Sequence, residues 1–183
     1  MRALSTLLFL GFLPMTGHAN CLEQDGLISS ESRRGLPASV SAEERERVES
    51  LAGTQVDYVV CGRIVPGMKI GLDRGQIGAV ASGYFALTGK SVVFIRAERR
   101  FVSPRYKYDV VLDASYDELN DITVPGSYVG PNIMMHLGTD ATGALVEVPR
   151  GGNGKAIVAE LRTRFIAACG TPILVTASEV RCR

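Results

Sequence analysis

The chain predicts an α+β fold: a mostly antiparallel β meander of about six or seven strands, with a helix near the N-terminus of the mature chain and a C-terminal helix–strand unit. Three observations carry it. From Thr54 to Val148, short runs rich in β-branched residues alternate with turn pairs such as Pro66-Gly67 and Gly130-Pro131. Ser41-Ala42-Glu43-Glu44 has the form of a capping box, the serine accepting from the third helical N–H while Glu44 reaches back. Ile157, Leu161 and Phe165 recur every fourth residue, and Val158, Ile166 and Cys169 widen that stripe on one helix face.

The elements follow in order. Met1-Arg2, the apolar run Ala3–Leu13, and Gly17-His18-Ala19 have the form of a secretory signal peptide, residues 1–19, cut after Ala19. Asn20 stands where a lipoprotein signal needs a small residue before Cys21, so an unanchored periplasmic or secreted protein is expected. Residues 20–183 are expected to form one globular domain, opening on an irregular arm over 20–40 broken by Gly26, Gly35 and Pro37. A mostly exposed helix runs from the capping box to about Leu51 and stops at Gly53. Gln55–Val65 is a strand with Val56, Tyr58 and Val60 on one side and Val59 and Cys61 on the other. The glycine-rich stretch Met68–Ser82 holds a short strand at Gln76–Ala81.

Tyr84–Leu87 and Ser91–Val102 form a hairpin about Thr88-Gly89-Lys90. Tyr106–Asp113 is a further strand, and Ser115-Tyr116-Asp117-Glu118 repeats the capping pattern, predicting one helical turn. A loop follows, bracketed by Val124-Pro125-Gly126 and Gly130-Pro131. Asn132–Leu137 and Ala144–Val148 make a second hairpin, and Gly151-Gly152-Asn153-Gly154 links it to the C-terminal helix. Asn153 is the N-cap of that helix, Gly170 takes the left-handed position past its end, and Pro172 cannot continue it. Pro172–Thr176 is a strand, expected to share a core with the helix stripe.

Charge and cysteines narrow the function classes. Of 20 Lys+Arg, cleavage removes Arg2 and leaves 19 against 19 Asp+Glu, a formal net charge of zero. That balance argues against a nucleic-acid partner held by bulk charge. No later stretch is apolar enough to be transmembrane. The even count of 4 cysteines in an exported chain predicts two disulfides, and no C-x-x-C supports a redox or zinc site. The pairing favoured is Cys21–Cys61 with Cys169–Cys182. The second bridge needs a turn at Ala177-Ser178-Glu179 that returns Val180–Cys182, because an extended chain would carry Cys182 roughly 40 Å away. An unbroken strand would instead favour Cys61–Cys182.

Candidate site residues are sparse. Arg96, Arg99, Arg100, Arg105 and Lys107 lie among Phe94, Phe101, Tyr106 and Tyr108, a basic aromatic hairpin suited to an anionic surface ligand or to solvent. Arg150-Gly-Gly-Asn-Gly-Lys155 resembles a phosphate loop, but Ala156 supplies no hydroxyl, so a flexible connector is favoured, with an anion on the helix N–H groups as the alternative. Asp109, Asp113, Asp117 and Asp121 recur every four residues, yet nothing in the pattern makes them converge as paired carboxylates do in glycosidases. His136, the one histidine left after cleavage, is a candidate base with Asp109 or Asp140. Cys61-Gly-Arg-Ile, Gly75-Gln-Ile, Leu87–Phe94 and Tyr108-Asp109-Val-Val-Leu resemble the opening strands of exported trypsin-like proteases. No histidine stands near Ser91 and no G-D-S-G-G loop occurs, so the resemblance implies a degenerate, inactive relative. The leading expectation is an exported binding or interaction domain without catalysis, using no cofactor and no metal, whose partner is an envelope protein or an anionic surface ligand. The alternative is an exported hydrolase built on His136.

Overall fold

The computed structural model of the chain describes residues 21, 35–37, 39–66, 80–99, 106–125, 130–139 and 143–182. The expected signal peptide, most of the expected arm, the strand expected at Gln76–Ala81 except for its last two residues, and Asp140 lie outside them.

Ser41 caps the first helix, α1 (Ala42–Ala52), as the sequence predicts: its side chain accepts from Glu44 N, and Glu44 Oε2 accepts from Ser41 N. Gly53 ends the helix at φ 68°, a conformation that costs a residue without Cβ little. Nine antiparallel strands follow: β1 (Val56–Pro66), β2 (Ala81–Thr88), β3 (Ser91–Arg99), β4 (Tyr106–Ser115), β5 (Leu119–Thr123), β6 (Asn132–Thr139), β7 (Gly143–Pro149), β8 (Pro172–Thr176) and β9 (Glu179–Cys182). The second helix, α2 (Gly154–Ala168), lies between β7 and β8 in the chain. All nine strands join in one sheet, ordered β4-β3-β2-β1-β7-β6-β5-β9-β8.

That order forces the sheet to curl. Five strands lie between β4 and β5, which in a flat sheet would set them roughly 29 Å apart. Ser115 and Leu119 are joined by four peptide steps, a reach of at most about 14 Å. The inner face of the curl closes on α2. Phe85, Phe94 and Ala114 from one flank meet Leu119, Ile122 and Leu137 from the other, around Ile157, Leu161 and Phe165 of the helix. On the outer face, α1 covers β1–β3, with Val48 against Val59, Tyr84, Ala86, Val93 and Ile95. These strands are buried on both faces, which is why they read as nearly continuous apolar runs.

Several local expectations change. The β1–β2 register slips between Val56 and Tyr58, so Val56 joins Val59 and Cys61 in the outer cluster while Tyr58 and Val60 face inward. A slip between Leu119 and Asp121 lets Leu119 and Ile122, three residues apart, both enter the inner core. Ser115–Glu118 makes a turn and no helix, although Ser115 N still donates to Glu118 Oε2 at 2.8 Å. Asn153 holds the N-cap position of α2 without a side-chain cap bond. Gly170 is not in the left-handed region; Cys169 ends the helix in an extended conformation. Ile166 is exposed, and all five residues of β8 are exposed, so β8 shares no core with the helix stripe.

The cysteines pair as favoured, Cys21–Cys61 and Cys169–Cys182, with Cα–Cα distances of 5.3 and 5.6 Å. The return that the second bridge needs is made by Ala177-Ser178, and Val124 N donates to Ser178 O at 2.7 Å, tying that turn to the end of β5.

Candidate functional site

Gly154 sets the site. A Cβ there would lie 1.6 Å from Pro149 O, so glycine lets the start of α2 pack directly on the end of β7. This brings Lys155 beside Arg150, the two ends of the phosphate-loop-like stretch. Along α2, Lys155, Val158, Ala159 and Arg162 are spaced i, i+3, i+4 and i+7, one helical face. Together with Arg150 and with Val124, Pro125, Ile133 and Met134 they line a pocket of about 310 Å³.

The pocket is cationic above and apolar below. Arg150 and Lys155 are exposed and Arg162 is half-buried. Val158 is 8% exposed and belongs to the inner core, against which Val124 and Ile133 also pack. Arg150 is positioned by carbonyl oxygens: its Nε donates to Gly130 O at 2.7 Å and its Nη2 to Asn132 O at 3.3 Å. Lys155 and Arg162 have no ion pair or hydrogen bond among the described residues, and no described carboxylate lines the pocket. Three cations therefore share this pocket with an apolar floor.

The basic hairpin is arranged differently. Arg96 Nη2 bonds Asp109 Oδ2 at 2.8 Å and Lys107 Nζ bonds the same oxygen at 3.0 Å. The Arg96 guanidinium, and then the Lys107 ammonium, hold the Asp109 carboxyl below the usual carboxylate range. Glu98 lies 3.9 Å from Arg96 as well. The side chain of Arg99, and all of Arg100 and Arg105, lie outside the described residues.

The four aspartates do not converge. Asp109 sits on β4 between its two cations, Asp113 is exposed farther along that strand, and Asp117 lies in the following turn, its carboxyl held low by the Ser115 side chain. Asp121, on β5, is the carboxylate that reaches His136: Nδ1 and Oδ1 are 3.1 Å apart, with the His136 side chain 8% exposed. The described carboxylate contact of His136 is thus to Asp121 and not to Asp109, while the expected Asp140 lies outside the described residues. Gly138 makes that contact possible, because a Cβ there would lie 2.1 Å from Asp121 Oδ2. The pair lies on the outer face of the sheet, as does the Arg63–Glu147 ion pair at 3.1 Å. Sequence reasoning missed Asp121 as the partner because cross-strand neighbours depend on register, which a single strand does not encode. It also missed Arg162, although the seven-residue spacing from Lys155 was legible.

The stretches likened to protease strands fall on β1, on the β2–β3 hairpin and on β4, with Gly75 outside the described residues. No protein-family model matches the chain. No curated protein matches it. Among solved structures the chain is similar to the C-terminal domain of an unknown protein from Leishmania infantum, at 14% identity and a TM-score of 0.41, over 67% of this chain and 94% of that one.

Proposed function

We propose that this chain is an exported binding domain that works without catalysis, and that its ligand is an anion held in the pocket between α2 and the β5–β6 end of the sheet. The single observation that carries this reading is the set of three cations, Arg150, Lys155 and Arg162, over an apolar floor with no described carboxylate among them. Export is supported by the form of residues 1–19 and by the two disulfides. The Arg96 hairpin offers weaker attraction, since each of its two described cations already meets a carboxylate.

The test is calorimetric titration of the mature protein with phenyl phosphate at low and at moderate salt. The wild type is expected to bind one equivalent, more weakly as salt rises. The double variant K155Q/R162Q is expected to lose about tenfold or more, the scale of two charge-assisted contacts. R96A/R100A is expected to bind normally. The reverse pattern would move the site to the hairpin and sink the pocket. A second reading, an exported hydrolase, is favoured by the Asp121–His136 contact alone. Turnover of a nitrophenyl ester that disappears in His136→Ala would replace the first reading with that one.

A further inference from the structure

We infer that the pocket's ligand is an anionic amphiphile: a phosphate or carboxylate headgroup joined to a short aliphatic segment. This rests on the reading of the pocket as an anion site and adds what lies beneath the charge. The most buried lining residue, Val158, is part of the inner core, and Val124 and Ile133 pack against that core. A bound molecule that reaches past the cations therefore meets carbon and displaces water from it, which favours an apolar segment in proportion to the area covered. Ala159 extends the same apolar wall from the helix side.

The alternatives fit less well. A polyanion needs an extended positive surface, and the mature chain balances 19 Lys+Arg, the 20 less Arg2, against 19 Asp+Glu. A neutral sugar needs side-chain acceptors or aromatic platforms, and the described lining contains neither. A bare inorganic anion would leave the apolar floor uncovered. The volume of about 310 Å³ lies at the small end of ligand sites, sufficient for a headgroup and a short chain. A free fatty acid, an alkyl phosphate and the end of a lipid share this chemistry.

The experiment titrates the mature protein with inorganic phosphate and with ethyl, butyl, hexyl and octyl phosphate below their micelle concentrations. Octyl glucoside is the neutral control. Affinity is expected to rise roughly fourfold per methylene until the cavity is filled and then to level off. K155Q/R162Q is expected to weaken the whole series about equally, leaving the slope unchanged. Ile133→Thr is expected to flatten the slope while leaving inorganic phosphate unaffected, with melting curves showing that the variant is folded. Because the chain-length slope is measured on the wild type, it does not depend on any variant folding. A flat series, with octyl phosphate no tighter than inorganic phosphate, would overturn the amphiphile and leave the anion site standing. Octyl glucoside binding as tightly as octyl phosphate would overturn the headgroup, and with it the anion site. Binding of no member would overturn both. A last arm sediments the protein with phosphatidylcholine vesicles containing phosphatidic acid: co-sedimentation would identify a membrane lipid as a source, and binding of the soluble alkyl phosphates alone would identify a free molecule.

Discussion

At the scale of residues, a buried polar contact joins helix and sheet in the outer core. Tyr84 is fully buried on β2, and its hydroxyl donates to Glu44 Oε1 of α1 at 2.8 Å. The other oxygen of Glu44 closes the capping box, so a single carboxylate joins helix start and sheet. Burial first, and then the bond to Glu44, hold the Tyr84 phenol well above its ordinary range. A raised folded pKa means that this contribution is fully present below the unfolded value near pH 10 and is lost as pH rises beyond it. Tyr84→Phe is expected to cost about 1–3 kcal/mol at pH 7, because it leaves a charged acceptor short of a donor in a buried place. Urea unfolding at pH 7 and pH 11 checks both points: the deficit should be smaller at pH 11, and an equal deficit at the two values would refute the linkage.

Among the elements, β8 is the one out of keeping with its sequence. Ile-Leu-Val-Thr reads as a core strand, yet Ile173, Leu174 and Val175 are 40%, 70% and 46% exposed. The strand stands at one end of the sheet, paired only with β9 among the described strands. Pro172 at its first position and a register slip between Leu174 and Thr176 blunt the edge, but no charged residue protects it. Such a strand invites concentration-dependent association. Leu174→Lys is expected to suppress that association in analytical ultracentrifugation while changing stability by less than about 0.5 kcal/mol, as surface substitutions do. An undiminished association would show that β8 is not its cause.

Over the whole molecule, a curled sheet and two helices are tied by contacts distant in sequence. Arg164 of α2 is the clearest tie: its Nη1 bonds Asp57 Oδ2 and Thr88 O, each at 2.6 Å, its Nε bonds Glu160 at 2.8 Å, and its guanidinium lies 5.9 Å from the Tyr116 ring. The helix thereby grips β1, the β2–β3 hairpin and the β4–β5 turn at once. The disulfides act on the unfolded chain. They span 40 and 13 residues, so in the chain-entropy account their loss costs about 4 and about 3 kcal/mol. Guanidinium unfolding of C21S/C61S and of C169S/C182S should show that order. The second variant also frees the β8–β9 hairpin from the end of α2, on the opposite end of the helix from the pocket, so phenyl phosphate affinity is expected to survive in whatever fraction remains folded.

What the sequence determined by itself was local. The capping box at Ser41, the stop at Gly53, the two hairpins and the buried face Ile157–Leu161–Phe165 follow from patterns no longer than a few helical turns or one hairpin. The cysteine pairing was also legible, because a single turn at Ala177-Ser178 decides whether Cys182 can return to Cys169. Strand β5 was not: Leu119-Asn-Asp-Ile122 becomes an inward-facing strand only through a bulge, and a bulge breaks the alternation by which strands are recognised. The exposure of β8, the union of Asp121 with His136, and the convergence of Arg150, Lys155 and Arg162 with Ile133 and Val124 were decided by the tertiary structure. Each depends on strand order and on the curl of the sheet. These arise from the packing of segments far apart in the chain, and no local pattern encodes which distant segment a strand will meet.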